Sequence, residues 1–277
     1  MAEVDGGKMY MDPNRLPPSY VRTFQAYMLS GRWEEQTSRL FKETVREGDV
    51  VVDLGANIGF FTLLASRLVG DAGRVYAFEP EPTNYSLLLK NIELNGCANV
   101  VAVPKAVSDR EGISVLALSR RDTGAHTLRR SGLKGEFGES IAVETITVDD
   151  YFRDREARVD VVKMDVEGAE ACVFRGMRRV LGANSGVKLF VEFYPRAICE
   201  MGDSPEAFAQ DLFRQGFKAV AIDDYSTRPE SRRVERVDDL MTFVGTRTTV
   251  NLFLWRHAMS VIPPDPREVA GSAEDAA

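Results

Sequence analysis

Residues 50–59, VVVDLGANIG, constrain the fold more than any other stretch of this chain. Three consecutive valines and a following Asp-Leu read as a buried strand, and the apolar run from Phe60 reads as a helix. Few residues join the two, so the chain must turn tightly between them. Gly55 and Gly59 supply backbone angles closed to other residues and let the main chain approach a ligand closely. The helix then opens with N–H groups that lack intrahelical partners and face whatever sits above the turn. A strand, a glycine turn and a helix in this order belong to parallel α/β sheets, which collect ligands at the carboxyl ends of their strands.

The same alternation runs on downstream. Strands are expected at 74–79, 100–103, 159–165, 187–193, 218–222 and 250–255, and helices at 60–68, 84–94, 169–180 and 205–215. Residues 113–118 and 140–147 instead alternate with period two around a polar, glycine-containing stretch, which predicts an antiparallel excursion forming part of a substrate wall. Ahead of the glycine turn, 20–29 and 34–45 read as amphipathic helices of an N-terminal cap. Residues 1–17 and the tail from Pro263 offer little to bury. The expected organisation is an N-terminal tail and cap over 1–48, the main domain over 49–260, and a flexible tail over 261–277.

Thirty-five basic against forty-two acidic residues leave a net charge of −7, which argues against a broad nucleic-acid-binding surface. The mixed-charge stretch 228–236, RPESRRVER, reads as a solvated loop. Cys97, Cys172 and Cys199 are odd in number and form no C-x-x-C, so neither a disulfide framework nor a zinc site is indicated. With no apolar stretch long enough to span a membrane and no signal-peptide pattern, a cytoplasmic protein is expected, with no membrane partner.

The glycine turn departs from the dinucleotide fingerprint G-x-G-x-x-G. G-A-N-I-G has two glycines four apart, with Asn57 and Phe60 in the remaining places. Asp53 would repel a pyrophosphate, yet it can accept hydrogen bonds from the ammonium or ribose of a sulfonium cofactor, which favours S-adenosylmethionine. Glu79, 26 residues after Asp53 at the next strand end, suits the two hydroxyls of an adenosine ribose.

Taken together, the motifs resemble the FkbM family of methyltransferases. VVVDLGANIGFFTLLAS, AFEPEPTNYSLLLKNIELN, AVSDREG, the VDD of 148–150 after a hydrophobic run, and VVKMDVEGAEACVFRGM stand in the family's order over roughly residues 33–195. The resemblance implies a Rossmann-like class I α/β fold, with a seven-stranded, mostly parallel sheet, one reversed strand and helices on both faces. It further implies S-adenosylmethionine as cofactor and O-methylation of a hydroxyl on a sugar or small natural product. The family's cofactor positions carry over to Asp53, Gly55, Asn57, Gly59 and Glu79. Ser108 and Asp109 fall near the adenine, and Glu34 matches an acidic position that helps enclose the cofactor.

Methyl transfer to oxygen asks the protein for alignment and for removal of the hydroxyl proton. Strand-end geometry brings Asp165 and Glu192 toward the crevice of Asp53 and Glu79, making them the leading substrate-facing carboxylates, with Asp165 also at the cofactor edge. Lys163, two residues earlier, shares a sheet face with Asp165 and is its expected ion-pair partner. Glu167 and Glu170 stand where a helix dipole favours acids and are expected to cap. Of the two histidines, His126 lies in the excursion and is the candidate base, while His257 is expected to be peripheral. A divalent metal held by carboxylates is the alternative route to an acidified hydroxyl, but no ligand set stands out. Competing readings are N- or carboxyl-methylation of a peptide or amine, a silent cofactor-binding protein, and an NAD-dependent dehydrogenase.

Overall fold

The structure is a computed structural model that describes residues 2–11, 33–120, 124–128, 137–155, 158–226 and 229–257. The helix expected at 20–29 and the tail from Pro263 lie outside the described residues. The chain opens with β1 (Ala2–Val4) and β2 (Gly7–Met9), then α1 (Glu35–Thr44), β3 (Val50–Leu54), α2 (Phe60–Val69), β4 (Arg74–Phe78), α3 (Pro82–Leu94) and β5 (Val100–Val103). There follow β6 (Ala106–Val107), β7 (Gly112–Ser119), β8 (Phe137–Ile146), α4 (Val148–Tyr151), β9 (Val161–Met164), α5 (Glu170–Arg175), α6 (Arg178–Ala183) and β10 (Lys188–Phe193). The described chain ends with α7 (Pro195–Glu200), α8 (Pro205–Arg214), β11 (Lys218–Asp223), β12 (Glu230–Val234), α9 (Val237–Val244) and β13 (Val250–Trp255).

The main sheet runs β12-β11-β13-β10-β9-β3-β4-β5. Strands β10, β9, β3, β4 and β5 pair in parallel, and β13 runs antiparallel to both of its neighbours. Strand order reverses between β3 and β9, which opens the ligand crevice at their carboxyl ends. The valines of β3 are wholly buried because the sheet is covered on both faces. Val51 packs with Leu40, Phe41, Phe61 and Leu64 of α1 and α2, whereas Val52 and Leu54 face the core shared with α4, α5 and α8. The period-two segments form the expected excursion, with β7 antiparallel to β8 and β6 parallel to it.

The sheet has eight strands rather than seven, and the eighth is the stretch expected to be a solvated loop. Glu230–Val234 pairs antiparallel with β11, burying Val234 and leaving Arg232 and Arg233 exposed. Arg247 ties this edge down through Asp223 and Glu230. Exposed arginines on an outer strand discourage further strand pairing. Arg228 lies outside the described residues.

Two other expectations are corrected. The single helix at 169–180 is divided at Gly176, where an added Cβ would lie 2.2 Å from the Ser108 carbonyl oxygen. Asp149 then starts α6 afresh by accepting hydrogen bonds from Arg179 N (2.8 Å) and Val180 N (2.9 Å). The first residues are also not peripheral. Asp5-Gly6, both at positive φ, turn a two-residue hairpin between β1 and β2. Val4, Met9 and Met11 are buried against Ile58 and Leu63. Asn91 of α3 and Asn95 at its C-terminal cap hold the hairpin by both donating to and accepting from the backbone of Tyr10 and Lys8.

Among the described residues no helix is long and apolar enough to cross a membrane, and the three cysteines are free. Met9→Ala should lower stability by about 2 to 4 kcal/mol in urea unfolding, as truncation of a buried Met does. A change below about 0.5 kcal/mol, the range of ordinary surface substitutions, would return the hairpin to the periphery.

Candidate active site

The turn after β3 is held by the next strand. Gly55 N and Ala56 N both donate to the Phe78 carbonyl, at 3.0 and 2.9 Å. Gly55 has φ 83°, and an added Cβ would fall 1.8 Å from the Asp165 carbonyl oxygen. Any side chain there would push the ends of β3 and β9 apart. Gly59 lines neither cavity described below. At φ 101° it starts α2 and packs close to Leu88.

Two cavities meet over this turn and share Gly55, Asn57 and Asp165. The first, of about 510 Å³, is lined by Glu79, Phe78, Pro80, Asn84, Val107 and His126, among others. The second, of about 450 Å³, is lined by Trp33, Glu34, Asp53, Phe60, Phe61 and Lys163 among its residues. Glu79 is fixed by backbone donors, accepting from Asn57 N at 2.8 Å and Glu81 N at 2.9 Å. Two N–H groups leave lone pairs on both carboxylate oxygens for further donors. Burial pushes Glu79 up to about 7 despite these bonds.

Lys163 organises the second cavity. Only 1% exposed, it sits among carboxylates, with Nζ 3.0 Å from Asp165 Oδ2 and 4.0 Å from Glu34 Oε2. The expected pair with Asp165 is therefore present. Burial pulls the ammonium's pKa down, but Asp165, Glu34 and Glu192 together hold it above the ordinary lysine value. Asp53, opposite Lys163 in the β3–β9 register, accepts from Thr62 Oγ1 at 2.6 Å, and burial raises it to about 6. Glu34, in a left-handed conformation just before α1, accepts from Tyr225 Oη (3.2 Å) and Asn251 Nδ2 (3.1 Å). Burial lifts Glu34 to about 7.

The excursion lies over the first cavity. Thr127 bridges to Ala117, and its hydroxyl donates to the Glu167 carbonyl at 2.7 Å. His126 Nδ1 accepts from Ser119 N at 3.0 Å, which leaves the proton of a neutral ring on Nε2. The Nδ1 lone pair that a base at this position would use is thus engaged by the Ser119 amide. Ser108 and Asp109 stay outside both cavities. The wall there is Lys105, Ala106 and Val107, while the Ser108 carbonyl crowds Gly176 and Asp109 pairs with Arg175 at 3.4 Å.

Glu170, the first residue of α5, does not cap the helix as expected but ties down the turn before it, accepting from Gly168 N (3.1 Å) and Val166 N (3.3 Å). Glu167 does not cap. It sits at φ 52° ahead of the helix and lines the first cavity. Glu192 is buried at the end of β10, where it accepts from Thr249 Oγ1 at 3.3 Å. Burial, then repulsion from Asp165, Glu167 and Glu170, raises its carboxyl well above the ordinary range. Asp165, Glu167 and Glu192 each offer an oxygen within 4.8 Å of the other two. Phe193 is core, stacked 6.2 Å from Phe208, and His257 is exposed. The sequence reading missed Thr62, Asn251 and Lys105. Asn251 left a signal, a lone amide in the otherwise apolar VNLFLW.

Residues 53–225 match the family model of the methyltransferase FkbM domain. Hexuronic acid methyltransferase AglP of Haloferax volcanii is 31% identical over 152 residues, 54% of this chain and 59% of that protein. The 31-O-demethyl-FK506 methyltransferase FkbM of Streptomyces tacrolimicus is 31% identical over 160 residues, 48% of this chain and 61% of that protein. The matches thus span about three fifths of these relatives' lengths. A crystal structure of methyltransferase FkbM from Methylobacillus flagellatus aligns at 15% identity and a TM-score of 0.43, over 88% of this chain and 56% of that one.

Lys163→Met should destabilise the fold by about 3 to 5 kcal/mol, the usual cost of leaving buried partners uncompensated. Asp53 and Glu34 have folded pKa values raised from 3.8 to about 6 and from 4.5 to about 7. Their stabilising contribution is complete below about pH 4 and is lost as pH climbs through about 7. Without Lys163 their ionisation costs more, so the loss in Lys163→Met should be larger at pH 8 than at pH 5 in urea unfolding. A pH-independent loss would mean that Lys163 acts by packing alone.

Proposed function

The chain belongs to the FkbM methyltransferase domain family, and we propose that it transfers the methyl group of S-adenosylmethionine to a hydroxyl of a sugar or small natural product. The observation that carries this reading is the acidic double cavity pinned over the Gly55 turn. Glu79 waits in one lobe with free lone pairs for ribose hydroxyls, and Phe78, Pro80 and Val107 offer apolar surface to the adenine. Val107 and its neighbours thus take the place first given to Ser108 and Asp109. In the other lobe Asp53, Glu34 and Asp165 suit the ammonium of the methionine moiety. A dinucleotide's pyrophosphate would meet the same carboxylates and be repelled, which weighs against a dehydrogenase.

In the proposed reaction the acceptor oxygen attacks the methyl carbon as the carbon–sulfur bond breaks, leaving a methyl ether and S-adenosylhomocysteine. The sulfonium supplies the activation, so the protein's part is alignment and the hydroxyl proton. That proton passes to the carboxylate wall, foremost to Asp165, which borders both lobes. His126, in the wall of the same lobe, is the further side chain placed to orient the acceptor. The curated relatives' names refer to a hexuronic acid and to 31-O-demethyl-FK506, both small molecules. An acidic wall also attracts amines, so N-methylation is the second reading. Methyl-labelled S-adenosylmethionine, a panel of glycosides, polyols and amines, and NMR of the products separate the two. Cofactor binding without turnover on any acceptor would favour a silent binding protein.

Glu79→Gln should weaken S-adenosylhomocysteine binding by about 1 to 3 kcal/mol in calorimetry, the usual range for a charge-assisted hydrogen bond. Because burial holds Glu79 up at about 7, wild-type affinity should rise as pH climbs through about 7 and the anion forms. The rise should be shallower in Glu79→Gln. Equal affinity and equal pH dependence in the two proteins would remove the ribose from Glu79.

A further inference from the structure

Three carboxylates beside the first cavity, two of them in its lining, are placed more closely than proton transfer requires. Asp165 at the end of β9, Glu167 in the following turn and Glu192 at the end of β10 bring one oxygen each within 4.8 Å of the other two. Hard divalent cations bind oxygen at about 2.0 to 2.6 Å, so ligands across such an ion stand about 4 to 5 Å apart. The three oxygens fit one coordination sphere.

An independent observation comes from the hydrogen bonds. Glu192 is only 7% exposed, and its Oε2 is buried with no hydrogen-bond partner among the described residues. Its cross-strand neighbour Asn251 likewise has a buried Oδ1 without a donor. Buried carboxylate oxygens are otherwise paired, because leaving one bare costs the full desolvation of the group. Lys163, whose charge also acts on Glu192, already holds Asp165 Oδ2 at 3.0 Å. An all-oxygen set without histidine or cysteine selects magnesium, manganese or calcium over zinc.

We propose that Asp165, Glu167 and Glu192 bind a divalent hard cation whose open positions take the acceptor's oxygens. The cation site itself does not depend on the methyltransferase reading, but its use in catalysis rests on that reading. There it orients an acceptor offering two neighbouring oxygens, such as a vicinal diol or hydroxy acid, and lowers the pKa of the hydroxyl to be methylated. Glu167 or Glu192, ligating through one oxygen, keeps its second oxygen to receive the proton, since with the ion bound Asp165 has its other oxygen held by Lys163.

The test is a titration of the full chain with manganese(II), following free ion by electron paramagnetic resonance, with S-adenosylhomocysteine affinity measured on the same samples. One manganese ion per chain, displaced by excess magnesium, is expected. Glu192→Gln should weaken binding at least tenfold. Glu167→Gln, on the partly exposed turn, serves as the second variant should Glu192→Gln fail to fold by circular dichroism, and should also weaken binding at least tenfold. No saturable manganese binding, or unchanged binding in the folded variants, overturns the proposal. Intact S-adenosylhomocysteine binding in that case leaves the cofactor reading standing, whereas manganese binding without S-adenosylhomocysteine binding separates the two the other way.

Discussion

A single buried ammonium is the constraint on which the site depends. Lys163 stands in the middle of an otherwise apolar strand, and removing it from water is tolerable only because carboxylates from three other parts of the chain come to it. Asp53 arrives from β3, Glu34 from the residue before α1, and Glu192 from β10. Each is costly to bury alone, and the group is stable only as a set. The sheet register therefore fixes more than packing, since moving β9 by one residue would turn Lys163 to the opposite face and strand its anions.

Close backbone contact does for the glycine turn what charge does for the lysine. The space beside Gly55 is filled by the Asp165 carbonyl, so the ends of β3 and β9 are locked together at the point where strand order reverses. The two lobes share their border because the same residues close both. Loop positions that carry chemistry are here held by strand ends, which gives them the precision of the sheet.

Much of this was readable in the sequence, and the unread part has physical causes. β-Branched runs and glycine spacing marked the parallel strands, and Asp53, Glu79 and Asp165 stood at strand ends where period and motif agreed. The β1–β2 hairpin was legible in Asp5-Gly6 but is short enough for flanking polar residues to hide it. β12 reads as a loop because an outer strand has little apolar surface to display. The break at Gly176 depends on a carbonyl 68 positions earlier, which no local pattern records. His126 shows the other limit. Sequence placed it in the right wall, but the hydrogen bond from Ser119 determines which nitrogen keeps its lone pair.

Asn91 links two regions that are distant along the chain. One side-chain amide accepts from Tyr10 N, donates to Tyr10 O, and donates to the Ile58 carbonyl within the glycine turn at 2.8 Å. Tyr10, about fifty positions ahead of the turn, thus steadies the side chain that latches it. A minimal fragment cut at the start of β3 would lose Glu34 from the site and, with Tyr10, one support of the loop that arranges the remaining carboxylates. The functional boundary of this fold lies upstream of its first parallel strand.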